Sequence, residues 1–452
     1  MTSTTQQLSF SPEDALSVAK IQPSALVERF SHMHSTEIAE LLLSCKNDEQ
    51  RQALVEHVPD HILGDTLLEL PEGMQEDLLA DFKAHEIGDV VEHLNSDDAT
   101  DLLQNIEAKV AHAVIQSLEP DDRRDIEPLM AYDEETAGGL MQVELFKVRH
   151  DWTVKRVMKV LRRWSKDIEN LNYVYVVDDE DHFVSVLSLH RLLFIEPQEI
   201  ISKVADASFP RVMVNQDQEK VAKIFDKYDI LAIPVIDEQG VLIGRITADD
   251  VIDVIHEEAT EDMYRLVGLS DEDDLSEPIG ITAWRRGVWL MVNLFTAILA
   301  SVVIFQFQDA ISKIVALAVL MPIVASMGGI AGTQTLTVIV RGIALGRVTY
   351  SNAKRMLWKE TMVGLLTGMS FACLIGLIVS FWFPDYGISL GLVIAAAMFT
   401  NLCAAGLAGS LIPLTLQRLN IDPALASGTI LTTVTDVVGF VTFLGLSTIF
   451  LL

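Results

Sequence analysis

Five apolar stretches dominate the second half of the chain: Trp284 to Phe305, Ile314 to Ile339, Met362 to Phe383, Leu390 to Leu416 and Ile430 to Leu452. Each is about 20 residues or longer, the length a helix needs to cross the hydrocarbon core of a bilayer, so the pattern predicts five membrane-spanning helices. Ahead of them the pattern changes twice. From Ser31 to about Tyr132 it is helical and repetitive: LLELPEGMQEDLL, VEHLNSDDATDLL and IQSLEPDDRRDIE align with Leu70, Leu94 and Leu118 equivalent, at a period of 24 residues. One short helix pair per repeat, stacked on a shared core, makes a superhelix. Acidic or Ser/Asn positions at the helix starts read as caps. Residues before Ser31 are expected to form a loose tail with one short helix.

A tandem α/β pattern follows. YVYVVDDEDHFVSVLSLHRLL (Tyr173 to Leu193) matches LAIPVIDEQGVLIGRITADDVI (Leu231 to Ile252), with Asp178 opposite Asp237 at a period of 59 residues. Each copy predicts a strand, an acidic turn, a second strand, and a helix capped by Ser188 or Thr247. Helices Trp152 to Trp164 and Gln218 to Tyr228 precede the strands. The second copy runs on into a further helix with two i,i+4 rows: Asp249, Asp253, Glu257 and Glu261, and Asp250, Val254, Glu258 and Asp262. Like charges at this spacing repel. The helix is therefore either a solvated linker or a surface neutralised by divalent cations. The polar run DEDDLSEP, ending at Pro278, leads to the membrane part.

Charge is segregated along the chain. From Ala283 onward there are nine bases and five acids, a net +4, so the first 282 residues hold 24 of the 33 bases and 59 of the 64 acids, a net −35. Such an acidic region argues against nucleic acid or anionic lipid as its partner and in favour of cations. Cys45, Cys373 and Cys403 have no metal-type spacing and no disulfide framework. The first residues, MTSTTQQLSFSPEDA, lack the basic and apolar regions of a signal peptide, so the soluble part is expected in the cytoplasm. Arg341, Arg347, Lys354, Arg355 and Lys359 cluster between the second and third spans, with Arg285 and Arg286 before the first and Arg418 after the fourth. The positive-inside rule then puts the N-terminus in the cytoplasm and the C-terminus outside.

The candidate chemistry centres on Asp436, the one ionisable side chain of the last apolar stretch. A carboxylate near a bilayer centre costs roughly 3 kcal/mol on insertion scales, so it faces protein or water and marks a function. Thr432 and Thr433 lie one turn before it on the same side. Hydroxyls beside a carboxylate form a small, hard, oxygen-rich site for a cation or a proton. The second span adds Pro322, Gly328, Gly329, Gly332, Thr333 and Gln334; the fourth adds Asn401 with Ala404, Ala405, Gly406, Gly409 and Ser410, small residues that let helices approach closely. Asn401, Gly428, Thr432 and Thr433 join Asp436 as candidate pore-lining positions. No HExxH, GxSxG or phosphate-binding glycine loop is present, so there are no candidate catalytic residues and an enzyme is not expected. On residues alone, a cation channel competes with a proton- or sodium-coupled secondary divalent-cation transporter and with a membrane-anchored nucleotide sensor.

The tandem α/β repeat resembles a pair of CBS domains, modules that often bind adenine nucleotides. Asp249 and Asp250 follow the cap in the second copy, where such modules usually hold the ribose. His190 and Arg191 stand there in the first copy, so ATP is a candidate ligand held by part of the usual site. Together, GLMQVELFKV, the CBS pair, the EEATED run, LMPIVASMGG-I-AGTQ and IDPALASGTILTTVTDVVGF resemble MgtE-type magnesium channels. The resemblance implies a multi-domain membrane protein: a tail (1–30), an all-α superhelical domain (31–135), an α/β tandem CBS pair (136–256), a long connecting or plug helix with linker (257–282), and a five-helix all-α transmembrane domain (283–452). It implies a homodimer in the bacterial inner (plasma) membrane, conducting magnesium and closed by intracellular magnesium. It assigns Asp436 to hydrated magnesium in the pore, and Asp65, Asp97, Asp101, Asp217, Asp229, Asp250, Asp253, Glu258, Glu261 and Asp262 to sensing sites. One departure is Ile330, where many members carry Asn.

Overall fold

A computed structural model describes residues 10–164, 171–269, 279–349 and 351–452. The chain divides into two compact units, Met1–His256 and Glu257–Leu452.

The first unit opens on helix pairs. Helices Asp60–Leu68, Ala84–Val91 and Ala108–Ser117 start 24 residues apart, and so do their partners Glu72–Leu79, Ser96–Gln104 and Pro120–Leu129. Leu70 and Leu118 are buried just after the first helix of their pairs and Leu94 packs on the same core, which is why the leucine period shows in the sequence. Capping differs from expectation. Of these helix starts, Pro59, Pro71, Asn95, Glu107 and Glu119 make no side-chain cap hydrogen bond, and several starts rest instead on the fixed φ of a proline. The expected loose tail is also corrected. Pro12–Ile21 and Pro23–Phe30 are two helices that place Ala15, Leu26 and Phe30 in the shared core, and Arg29 lies 3.7 Å over the Phe10 ring. Short apolar spacing broken by Pro23 hides the second helix from the sequence pattern.

The two CBS-type modules each hold a three-stranded sheet. In the first, β1 (Lys147–Arg149) runs parallel to β2 (Tyr173–Val177), which pairs antiparallel with β3 (Phe183–Ser188). In the second, β4 (Val212–Met213), β5 (Ala232–Ile236) and β6 (Leu242–Thr247) repeat that order. β1 and β4 lie beyond the predicted strands, because two or three residues carry too little alternation to register. The modules join through Phe183 N donating to Gly240 O and Leu242 N to Asp181 O, over an apolar cluster of Tyr175, Val177, Phe183, Val186, Ile236 and Leu242. β6 leads directly into the acidic helix Ala248–Leu266.

Among the described residues, the second unit contains five helices long and apolar enough to span a membrane: Ile279–Phe305, Ala316–Ala344, Ala353–Trp382, Gly387–Arg418 and, within helix Pro423–Phe450, Gly428–Phe450. A short helix, Gln308–Lys313, separates the first two. The polar run expected as the linker, ending at Pro278, lies outside the described residues. The second, fourth and fifth spans share a core of Leu320, Val324, Ile394, Ala397, Phe440, Phe443 and Leu444. The first span leaves almost all of its apolar surface exposed in the protomer.

Candidate functional site

Acidic side chains from three elements of the first unit converge. Asp97 sits in the first turn of helix Ser96–Gln104, only 4% exposed. Its Oδ1 accepts from the Asp98 backbone N–H at 2.9 Å and its Oδ2 from Gln142 Nε2 at 2.8 Å. Burial, then the charges of Asp250 and Asp98, push its carboxyl well above the usual range, against the pull of the Gln142 bond. Asp98 is pushed up to about 7, first by burial and then by Asp250, Asp101, Asp65 and Asp249. Asp250 is also raised by burial and by Asp249 and Asp253, even though its Oδ2 accepts from Thr247 Oγ1 at 2.6 Å and Thr247 N at 3.1 Å. Asp253 is raised by partial burial, with Glu69 and Asp249 opposing its charge and His256 favouring it.

Of the sequence candidates, the structure thus brings Asp65, Asp97, Asp101, Asp250 and Asp253 into one electrostatic cluster. Asp98, Asp249 and Glu69 belong to it too. Asp98 is hidden in the sequence because acids in a first helical turn are explained by the helix dipole. Asp249 lies in the acidic rows with nothing to single it out as a site. Glu69 is hidden because nothing local distinguishes a glutamate just after a helix.

Asp217 and Asp229 bound helix Gln218–Tyr228, which at 1.5 Å per residue sets them about 18 Å apart. Asp217 is its N-cap, accepting from Lys220 N at 3.2 Å. Asp229 is its C-cap in the left-handed region at φ 50°, where Asp is better tolerated than most residues.

Among the described residues, the one group of three His, Cys, Asp or Glu side chains with ligand atoms within 4.8 Å of one another is Asp178, Glu180 and His182, on the exposed β2–β3 turn. The interdomain acids form no such close group among the described residues.

In the second unit the end of the acidic helix rests on the membrane helices. Arg265 pairs with Glu261 one turn before it, and its Nη1 lies 2.8 Å from Asp422 Oδ2. Asp422 in turn caps the fifth span, accepting from Ala424 N at 2.8 Å. Leu266 packs with Leu336, Val340, Ala424 and Leu431. A Cβ on Gly428 would stand 2.8 Å from the Leu266 carbonyl oxygen, so only glycine admits this approach. Glu258 and Asp262 lie on the same helical segment.

Asp436 is half-buried at the middle of the 28-residue fifth helix. Gly428, Thr432 and Asp436 form an i,i+4 row. Thr432 Oγ1 donates to Gly428 O at 3.1 Å and Thr433 Oγ1 to Thr429 O at 2.7 Å, so both hydroxyls satisfy their donors on the helix and keep acceptor oxygens outward. The structure places Asn401 inside the protomer rather than on an open face: it is fully buried, and its Nδ2 donates to Val324 O at 2.9 Å. Gly328 and Gly439 flank it where a Cβ would stand 2.2 and 2.8 Å from its Nδ2. Asn401 thus bonds the fourth span to the second and packs against the fifth at Gly439, one turn beyond Asp436. An open groove of about 690 Å³ runs along the second span, lined by Ser326, Gly329, Ile330, Thr333, Gln334, Thr337 and Val338. Ser326 and Thr337 escape the sequence pattern, because hydroxyls in apolar helices usually bond their own backbone.

An acidic helical-and-CBS module joined to a five-helix membrane bundle with one mid-span carboxylate is the make-up of a multi-pass cation transporter. Residues 321–446 match the family model described as divalent cation transporter, residues 33–135 the MgtE intracellular N domain, and residues 137–196 and 201–257 the CBS domain. The chain is 34% identical over 329 residues to the magnesium transporter MgtE of Bacillus subtilis and 35% over 337 residues to that of Thermus thermophilus, covering 72% of each chain in both cases. It is also 36% identical over 327 residues to that of Enterococcus faecalis, again over 72% of each. It is similar to the crystal structure of the cytosolic domain of the Mg2+ channel MgtE in complex with ATP, at TM-score 0.52 and 31% identity, covering 55% of this chain and 100% of that one. The soluble part of a magnesium transporter gives TM-score 0.50 at 31% identity, over 55% and 98%. The chain belongs to the MgtE family of divalent cation transporters.

Proposed function

We propose that this protein is a magnesium channel of the bacterial inner membrane, working as a homodimer with its N-terminus in the cytoplasm and its C-terminus outside, and closed by cytoplasmic magnesium. The observation that carries this is the fifth helix. It presents one carboxylate, Asp436, at mid-span, and its cytoplasmic start is held by the end of an acidic helix through Asp422, Arg265 and Leu266. Two-fold symmetry would set two copies of Asp436 across one axis, a single charged ring that holds an ion through its water. Asn401 positions that helix, while Gly428, Thr432 and Thr433 with the second-span hydroxyls form the wall.

Closure follows from the acids. Asp65, Asp98, Asp101, Asp249, Asp250 and Asp253 repel one another across the helical domain and the second CBS module, with Asp97 held between them as an anchor by Gln142. Glu258, Glu261 and Asp262 continue the charge toward the pore, and Asp217 and Asp229 offer separate, weaker positions. Neutralised by divalent cations, these faces hold together and keep the acidic helix seated. Unneutralised, they part. Cytoplasmic magnesium biases the balance only by binding the closed form better.

ATP is a second proposed ligand. Arg191 and His190 in the first module suit phosphate. The second module's Asp250 is already bonded to Thr247, so binding uses part of the usual CBS site.

The test is magnesium flux into liposomes holding only the purified protein. The wild type is expected to conduct, and Asp436→Ala is expected to abolish conduction while leaving the dimer intact by size. Normal flux through Asp436→Ala would refute the assignment.

A further inference from the structure

The segment Met141–Glu144 belongs to a motif that neither the pore nor the acidic cluster absorbs, yet it clamps the helical domain to the second CBS module. Gln142 is bonded to β6 in both directions, its N–H to Arg245 O and Arg245 N–H to its own O, each at 2.9 Å. Its side-chain Oε1 accepts from Arg245 Nε at 3.0 Å and Nη2 at 2.6 Å. Its Nε2 donates to Asp97 Oδ2. Next to it, Val143 N donates to Ser96 Oγ at 2.9 Å, and Ser96 donates to Glu144 through both N and Oγ. Gln142 and Arg245 are nearly inaccessible to solvent.

A primary amide is almost symmetric in shape, and its neighbours decide which end points where. A guanidinium carries only donors, so two of them on one oxygen fix Oε1 toward Arg245 and turn Nε2 toward Asp97. The buried guanidinium and the buried carboxylate then compensate each other through the amide between them, which low dielectric strengthens. Both Asp97 oxygens are already engaged, so Asp97 acts here as an anchor. The anchor sets the spacing between Asp98 and Asp101 on one side and Asp249 and Asp250 on the other.

We propose that Gln142, oriented by Arg245, is a positioning residue of the divalent sensor, and that its bond to Asp97 sets how much magnesium is needed to hold the helical domain against the second CBS module. This rests on the sensing role proposed above.

The experiment uses the full-length protein and magnesium alone. Magnesium-dependent protection of the exposed turn at Glu134 and Glu135 is read with a glutamate-specific protease and mass spectrometry, with sodium at equal ionic strength as control. Gln142→Glu keeps an oxygen for Arg245 but sets a carboxylate against Asp97. It is expected to raise the magnesium needed for half-protection about tenfold, the factor that goes with one lost charge-assisted hydrogen bond. The double variant Asp97→Asn with Gln142→Glu keeps the net charge and reverses the bond, with the amide introduced at position 97 as donor. It is expected to return the midpoint to within about threefold of wild type.

An unmoved midpoint in Gln142→Glu, or no recovery in the double variant, overturns the positioning role. If Gln142→Glu alone fails to fold, recovery of folded, magnesium-protected protein by the double variant supports the role, and failure to recover overturns it. A wild type with no magnesium-dependent protection also overturns it. Absent liposome flux in the wild type would strike the transport assignment alone, since the protection midpoints decide the role of Gln142 separately.

Discussion

Two neighbouring aspartates show how far residue type falls short of residue role. Asp97 and Asp98 follow each other in the same helical turn. Asp97 turns inward to Gln142, while Asp98 faces the like charges of Asp250, Asp101, Asp65 and Asp249 and is pushed up to about 7. The sign of the consequence is set by linkage. Because the folded value lies above the ordinary carboxylate range, the folded form takes up the proton that the unfolded chain would not hold. Stability is therefore greatest on the acid side and falls as pH rises toward about 7. In protein stripped of divalent ions, the unfolding temperature of the first unit is expected to drop between about pH 4 and 7, an effect of a few kcal/mol at most. Asp98→Asn is expected to flatten that slope and to raise stability at the alkaline end. An unchanged slope in a thermal melt series would show that other groups carry it. Asp436 stands out in the sequence because a carboxylate in an apolar run has no cheap structural explanation. Asp98 does not, because Asp250, the charge that raises it most, lies about 150 residues away in the chain.

At the scale of elements, the acidic helix Ala248–Leu266 matters most. Its rows of like charge weaken an isolated helix by a few tenths of a kcal/mol per pair. The structure holds its far end through Arg265, which pairs with Glu261 and reaches Asp422. The helix therefore meets the fifth span at the very turn that starts it. Replacing Asp253, Glu258, Glu261 and Asp262 by neutral residues is expected to remove the magnesium response proposed above, and it also removes the Glu261 partner of Arg265. The variant is expected to keep conducting at magnesium concentrations that close the wild type, measured as flux in liposomes or current in patches. Normal closure would mean that the helix is only a solvated linker. Small elements are less legible. The helix Pro23–Phe30 and the strands β1 and β4 are too short for a period to show, and tertiary packing stabilises them.

For the whole molecule, the five spans and the base-rich loop between the second and third predict an odd topology. A reporter fused after Leu452 is expected to behave as external and one fused at the N-terminus as cytoplasmic. A cytoplasmic signal at the C-terminus would remove one span from the bundle.

The sequence by itself determined the repeat period of the helical domain, the doubled α/β module, the number of spans, the segregation of charge and the isolation of Asp436. These are properties of spacing and solvation, which act along the chain and leave a periodic trace. Only the tertiary structure decided that Asn401 is buried where three spans meet and that Asp97 is bonded to Gln142. It alone decided that Asp98 and Asp249 complete the acidic face, and that Gln142 faces Arg245 on one side and Asp97 on the other. Each of those depends on which side chains from distant segments share a low-dielectric contact. Hydrogen-bond direction and charge repulsion are set by that partner, not by the residue's own neighbours in the chain.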